Sequence, residues 1–481
     1  MIMVGREKQI RDLEQLYNSE EAQFVAVYGR RRVGKTFLID ETFRNRITFK
    51  HAGLSLVEMA EDESDRPTRA QLQSFYYSLL KAGMKKSHIP ENWLEAFFML
   101  ETYLEEIDDG SKQLVFLDEL PWMDTPKSGF ITAFESFWNG WACSRHNFML
   151  VICGSANSWI VDKLINNHGG LYNRLTYEIK LEPFTLVECE EYLESKKVRL
   201  SRYDIVQSYM LLGGIPYYLN YFKRGYSLAQ NIDELFFSKN GQLNLEYERL
   251  FASIFTNPEM MKKIISALAK KTAGMTRKNL VEITGIKDGG TLTKALNALI
   301  VSDFIEKYVP FGFKKNEEHY KLIDPFCIFY NHFVHNKKNL PSDFWQREGT
   351  SAEINSWRGF AFENVCFNHI PQIKEALGIR GVSSSESAWT KREDDDEGTQ
   401  IDLLIDRKDN VVNMCEIKFY SDIFTVTKQY DAVLRHRRIL LERAIPKKSI
   451  VHSTLITTYG LKYNEYSGDF DNVITLDDLF V

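Results

Sequence analysis

Apolar residues in this chain come in short runs that stop abruptly at glycine or at acids. Phe24-Val25-Ala26-Val27-Tyr28 is a β-prone run ending at Gly29, and Phe37-Leu38-Ile39-Asp40 opens a helix soon after. Leu114-Val115-Phe116-Leu117 ends in Asp118-Glu119, and Phe148-Met149-Leu150-Val151-Ile152-Cys153 ends in Gly154-Ser155-Ala156-Asn157. Unbroken apolar runs of this length predict strands buried on both faces, as in a parallel sheet, whose carboxyl ends collect ligands. Tyr177-Glu178-Ile179-Lys180-Leu181 predicts a further strand, stopped by Glu182-Pro183-Phe184, and Gly213-Gly214-Ile215-Pro216 predicts a helix-breaking turn.

The periodicity then changes. Helices are expected near Met260–Lys271, Arg277–Ile283 and Thr291–Val301, the last placing Leu292, Ala295, Leu296, Leu299 and Ile300 on one stripe. Two strands, 304–309 and 319–323, flank a loop carrying Gly312, Lys314 and Lys315. That order resembles a winged helix, whose recognition helix can enter a DNA major groove. Toward the C-terminus, Gln400–Asp406 and Val411–Tyr420 read as two strands joined by an Asp409-Asn410 turn.

Composition narrows the picture. A chain of 481 residues exceeds what one hydrophobic core supports, so three or four units are expected. Hydrophobic residues at 44% and charged residues at 26% describe a soluble, globular balance. The net charge of −6 excludes a uniformly basic surface, so contact with nucleic acid must come from a local patch. Segment 258–322 offers one, with 12 Lys+Arg against 7 Asp+Glu. Six scattered cysteines without CxxC or Cys/His spacing read as reduced, mostly buried thiols. No stretch approaches the roughly 20 apolar residues of a membrane helix, and no signal peptide opens the chain; the expected location is the cytoplasm, with no membrane partner.

Gly29-Arg30-Arg31-Arg32-Val33-Gly34-Lys35-Thr36 matches G-x-x-x-x-G-K-[ST] between a strand and a helix, the setting in which such a loop cradles phosphates. Glycines let the backbone wrap the anion, Lys35 is expected to reach the β- and γ-phosphates of ATP, and the Thr36 hydroxyl to ligate Mg²⁺. Asp118 is expected to hold Mg²⁺, and Glu119 to polarise the attacking water as general base. Ser155 and Asn157 are candidates to sense the γ-phosphate or orient that water, or are ordinary turn residues. Arg174, in the loop before the last of these strands, is either a transition-state arginine for its own or a neighbouring subunit's γ-phosphate, or a surface or structural arginine.

The hairpin near the C-terminus carries a second constellation. A period of two puts Glu416 and Lys418 on one face, and the simplest register brings Asp402 beside Glu416. Two carboxylates and a lysine suit phosphodiester hydrolysis: Asp402, Glu416 and the Ile417 carbonyl would bind Mg²⁺ or Mn²⁺, with Lys418 positioning the water or neutralising charge. Glu363, in a helical stretch, would complete the site, and Gln429 is a further candidate. A hairpin with charges on a solvated face is the plain alternative. The acidic run Glu393–Glu397 is expected to be a solvated, mobile loop.

Val4-Gly5-Arg6-Glu7, the phosphate loop with its three arginines, Leu117-Asp118-Glu119-Leu120-Pro121-Trp122, Arg174 and Gly213-Gly214-Ile215-Pro216-Tyr217-Tyr218 together resemble the archaeal/bacterial ATPase family within the AAA+/STAND P-loop NTPases, over about residues 1–250. The resemblance implies a parallel sheet with helices on both faces, then a helical lid in which Gly213–Tyr218 turns between helices near the nucleotide. The C-terminal constellation resembles the PD-(D/E)xK nuclease superfamily, and in particular the nuclease-like domain that follows this type of ATPase, over about 345–481; Tyr320-Lys321-Leu322-Ile323-Asp324-Pro325-Phe326 ahead of it fits the same architecture. Ile401 stands where the superfamily motif has proline. The expected architecture is α/β: a P-loop ATPase core (1–184), a helical lid (185–256), a winged helix (257–335) and a restriction-endonuclease-like domain (345–481). The expected function is ATP hydrolysis coupled to DNA binding and metal-dependent DNA cleavage, in a chain that can form a homo-oligomer. The rivals are an ATP-controlled switch that cuts nothing, and a signalling ATPase whose last domain only assembles.

Overall fold

A computed structural model describes residues 3–55, 66–155, 157–165, 169–313, 317–335, 340–393 and 396–481, and the side chains of Arg66, Asn157 and residues 390–398 lie outside what it describes. The chain divides into two compact units, Met1–Pro183 with Glu248–Met261 and Thr293–Asp303, and Phe184–Tyr247 with Lys262–Leu292 and Phe304–Val481.

The first unit is built on a five-stranded sheet of β1 (Gln23–Tyr28), β2 (Ile47–Ala52), β3 (Gln113–Asp118), β4 (Phe148–Gly154) and β5 (Tyr177–Lys180), in the order β2-β3-β4-β1-β5. Every pairing is parallel. Each residue of β3 and β4 is buried, as their unbroken apolar runs require. Edge strand β2 alternates in burial and was not marked by any such run. Helices Arg66–Ala82, Trp93–Glu106 and Phe130–Gly140, also unmarked in the sequence, supply much of the core. Phe97 contacts Phe75, Trp93, Phe130, Phe134 and Phe137 at ring-centroid distances of 5.1 to 6.0 Å. Burying one such side chain contributes about 1.5–3 kcal/mol.

The second unit holds two main sheets. The smaller joins β6 (Met275–Thr276), β7 (Ile305–Tyr308) and β8 (His319–Leu322), antiparallel in the order β6-β8-β7. Along the sequence, helices Pro258–Leu268, Arg277–Thr284 and Gly290–Val301 fall close to the three expected, although residues 258–261 and 293–301 of them belong to the first unit. Lys314 and Lys315, at the expected wing, lie outside the described residues.

The larger sheet contains β9 (Ser384–Glu393), β10 (Asp396–Arg407) and β11 (Val411–Lys418). After the short β12 (Phe424–Thr425) come β13 (Ile450–Thr457), the short β14 (Leu461–Lys462), which pairs with β12, and β15 (Asn472–Ile474). The order is β15-β13-β11-β10-β9, with β9, β10 and β11 antiparallel and β11, β13 and β15 parallel. Helix Lys428–Ala444 makes the crossover that a parallel β11–β13 pair needs. The acidic run departs from expectation: Glu393 ends β9 and Asp396-Glu397 begin β10, so strand pairing rather than a free loop claims its flanks, while Asp394 and Asp395 lie outside the described residues.

Gly213 and Gly214 follow helix Arg202–Leu212 with φ of 68° and 66°. A Cβ on Gly214 would stand 2.2 Å from the Phe184 carbonyl oxygen, so glycine is required there. All six cysteines are free, five of them buried and Cys143 exposed. Among the described residues no helix is long and apolar enough to cross a membrane.

One buried histidine ties elements of the second unit together. His369 caps helix Ala352–Asn368; its Nδ1–H donates to the Val365 carbonyl at 2.8 Å, and Nε2 accepts the Leu186 N–H at 3.0 Å. Accepting through Nε2 requires the neutral ring, and burial pulls its pKa from 6.5 down to about 4. The folded state therefore binds fewer protons than the unfolded chain between those values, and stability falls as pH drops from about 6.5 toward 4, by up to about 3 kcal/mol. Urea unfolding midpoints across that range should fall less steeply in His369→Gln than in the wild type; parallel slopes would remove His369 as a source of acid sensitivity.

Candidate functional site

The phosphate loop owes its path to two glycines. Gly29 has φ of 144°, and a Cβ there would sit 2.3 Å from the Leu181 carbonyl oxygen, the residue whose N–H extends the β5 pairing to Tyr28 at 2.7 Å. Gly34, at φ 95°, starts helix Lys35–Thr42 from the left-handed region. Arg32 also has a positive φ, 76°, which a side chain adopts only under local constraint. Val33 and Arg30 are buried, and the Arg31 guanidinium lies 6.0 Å from the Trp122 ring.

Strand order explains what meets this loop. With β3, β4 and β1 adjacent and parallel, the loop after β1, Asp118-Glu119 after β3 and Ser155 after β4 all emerge at one edge. The Thr36 hydroxyl donates to Asp118 Oδ2 at 2.8 Å. Lys35 is buried, its ammonium donating to the Gly29 and Arg30 carbonyls at 2.9 and 3.1 Å. Burial lowers its pKa, against the pull of Cys153, Glu119 and Asp118, and burial raises that of Asp118. Glu119 takes a left-handed φ of 45°, and its carboxylate accepts from the Ser155 N–H at 3.0 Å and the Ser155 hydroxyl at 2.9 Å. Gly53 and Gly154 let neighbours close in: a Cβ on either would lie 2.7 Å from the Glu119 carbonyl oxygen or from Pro121 Cδ. Of the two sensing candidates, Ser155 thus touches the expected base, while the Asn157 side chain lies outside the described residues. Arg174 stands exposed in the turn closed by its N–H to the Leu171 carbonyl.

The C-terminal constellation assembles as the hairpin register requires. Leu403 pairs with Cys415, so the next step along the ladder sets Asp402 opposite Glu416. Asp402 Oδ2 accepts the Ile417 N–H at 3.1 Å and lies 3.9 Å from Lys418 Nζ. Glu363, on helix Ala352–Asn368, is near enough for its charge to act on this group. Burial and the charge of Asp402 push its pKa up to about 8, and burial with Glu416 raises that of Asp402 to about 6.

Glu416 differs from both. Although buried, it is held in its charged form, with its pKa lowered by Lys418 and Arg437. Lys418 Nζ binds Oε1 at 2.6 Å, Arg437 Nη1 binds Oε2 at 2.6 Å, and the Tyr430 hydroxyl donates to Oε1. Tyr430 and Arg437 were not singled out in the sequence; they stand seven residues apart on helix Lys428–Ala444, the two-turn spacing of one face, which is the signal that could have found them. Gln429 beside them is exposed.

The two oxygen clusters respond differently to the test of a divalent cation. Thr36 and Asp118 present a hydroxyl and a carboxylate side by side, a donor set that suits Mg²⁺. Glu416 has both oxygens committed to two cations and a phenol. Among the described residues no group of three His, Cys, Asp or Glu side chains is placed to hold a metal. As it stands, the C-terminal donor set does not fit Mg²⁺ or Mn²⁺. Within the basic segment 258–322, Arg277 is bonded to Asp288 and Lys307 to Glu318, so part of its charge is spent internally.

Known proteins add a consistent comparison. Residues 3–222 match the family described as ATPase domains predominantly from Archaea. An uncharacterized protein of Methanocaldococcus jannaschii is 24% identical over 424 residues, 87% of this chain and 88% of that protein. An uncharacterized ATP-binding protein of the same organism is 39% identical over 46 residues, 10% of this chain and 78% of that one. The Walker-type ATPase of Pyrococcus abyssi superposes with a TM-score of 0.45 at 18% identity, covering 68% of this chain and 96% of its own. Over residues 3–222, a little under half of its length, the chain is similar to that archaeal ATPase domain, and the chain is an ATPase.

Proposed function

We propose that this ATPase couples its nucleotide state to DNA binding by its later segments. The observation that carries the ATPase chemistry is the meeting of Lys35, Thr36, Asp118, Glu119 and Ser155 at the carboxyl ends of three adjacent parallel strands. In this reading Lys35 leaves its two loop carbonyls for the β- and γ-phosphates, an exchange of dipoles for full charges that favours the bound state. Thr36 and Asp118 would hold Mg²⁺, which supplies charge neutralisation on the phosphates when bound. Glu119 takes a proton from the attacking water, and Ser155 fixes where that carboxylate points. Arg174, exposed before β5, is available to a γ-phosphate of a neighbouring copy, so a homo-oligomer belongs to the proposal.

The proposed domains are the core (1–184), a helical lid (185–256), a winged helix (257–335) and a nuclease-like domain (345–481). Support for DNA as partner is the order of three helices and a three-stranded antiparallel sheet, together with the local excess of Lys and Arg in 258–322. Within the last domain, the committed oxygens of Glu416 favour binding over cleavage. The reading is therefore an ATP-controlled DNA-binding protein whose nuclease-like fold does not cut in this arrangement.

Two sets of measurements check this. Lys35→Ala should lose ATP binding. Glu119→Gln should bind ATP as tightly as the wild type while kcat falls about 10²- to 10⁴-fold, the usual weight of a general base; unchanged hydrolysis would remove Glu119 from that role. Linear and supercoiled DNA incubated with Mg²⁺ or Mn²⁺ should stay intact with wild type and Lys418→Ala alike. Metal-dependent cleavage by the wild type that disappears in Lys418→Ala would instead establish the nuclease.

A further inference from the structure

Beside the carboxylate cluster runs a column of aromatic rings that nothing above uses. It starts in the core at Phe362, whose ring lies 5.2 Å from that of Phe419. Phe419 stacks on Tyr203 at 4.8 Å and 10°, and Tyr203 on Tyr459 at 5.9 Å and 22°. Tyr459 ends the column at the surface and is 50% exposed.

Its position is set by the sheet. Lys418 pairs with Thr457 at the ends of β11 and β13, so Phe419 and Tyr459 leave the same edge that carries Asp402, Glu416 and Lys418. The two loops that follow are fastened to each other: Thr458 Oγ1 donates to the Tyr420 carbonyl at 2.5 Å, Phe424 N–H to the Gly460 carbonyl at 2.9 Å, and β12 pairs with β14. The exposed ring is therefore held on a rigid support, which lowers the ordering cost of binding to it.

A cation accompanies the column. Arg358, on helix Ala352–Asn368, is half-buried and interacts electrostatically with Tyr203 and with Asp204. Among the described residues it has no carboxylate within ion-pair distance; Nη1 donates to Asn355 Oδ1 at 2.9 Å, and its buried Nε meets no acceptor. The nearby acids are engaged elsewhere, Asp204 by Ser201 and Gln207, and Asp477 by Arg202.

A flat exposed ring at the end of the stack, with a guanidinium that has no ion-paired carboxylate interacting with the next ring, Tyr203, suits an unstacked base with its phosphate. A duplex keeps its base faces covered and offers nothing to the ring. We propose that Tyr459 and Arg358 form a binding surface for single-stranded DNA, Tyr459 stacking on a base and Arg358 taking a phosphate. This rests on the DNA-binding reading above and names its substrate class.

Fluorescence anisotropy with a labelled oligo(dT) and with a duplex, on the full chain, tests it. Tyr459→Ala should weaken single-strand binding about tenfold, Tyr459→Phe should restore it, and duplex affinity should stay the same in both. Arg358→Gln should weaken single-strand binding and flatten its salt dependence. Equal single-strand affinity in wild type and Tyr459→Ala, with DNA binding otherwise intact, would overturn this surface and leave the broader reading standing. Binding of duplex alone would do the same, whereas binding of neither would overturn both.

Discussion

Lys35 is a charged side chain that the fold buries among backbone carbonyls, and the first unit is arranged around that constraint. An ammonium out of water needs oxygen around it, and in this structure the Gly29 and Arg30 carbonyls provide it. The loop can curl those carbonyls onto the lysine only because Gly29 lies flush against Leu181 and Gly34 turns through the left-handed region. Asp118 and Glu119 add negative charge from the end of β3, which requires β3 to be parallel to β1 and one strand removed from it. The sheet order is thus part of the chemistry.

The second unit solves a similar problem in another way. Glu416 is a buried carboxylate whose charge is retained because Lys418, Arg437 and Tyr430 surround it. Removing one partner from such a group leaves an uncompensated charge and typically costs about 3–5 kcal/mol. A carboxylate that secures a sheet to its crossover helix in this way has little left to offer a metal. Asp402 and Glu363, both with raised pKa, belong to the same acidic cluster. That contrast, one carboxylate fully engaged and two weakly so, separates three acids that the sequence pattern alone treats alike.

What the sequence revealed follows from where each feature gets its information. The phosphate loop and β1, β3 and β4 were legible because glycine spacing and unbroken apolar runs are local consequences of backbone geometry and double-sided burial. The register of Asp402 with Glu416 was legible because a tight turn fixes it. Edge strand β2 was not, since Ile47–Ala52 mixes polar and apolar residues as a half-exposed strand does. Tyr430 and Arg437 were missed because their role depends on how a helix lies across a sheet, which no local pattern encodes. Ser155 was read as a sensing, water-orienting or turn residue; its grip on Glu119 appears only once β3 and β4 are neighbours. At the flanks of the acidic run, pairing between β9 and β10 replaced the solvated loop that its charge suggested.

The central claim is the proposed coupling between nucleotide state and DNA. It is tested most directly by the DNA affinity of Glu119→Gln, a variant expected to hold ATP without consuming it, measured with ATP, with ADP and without nucleotide. Coupling free energies between linked sites run to about 1–3 kcal/mol, so the account predicts a difference of at least about fivefold between the ATP and ADP states. Equal affinity in all three states, with ATP binding confirmed, would contradict it.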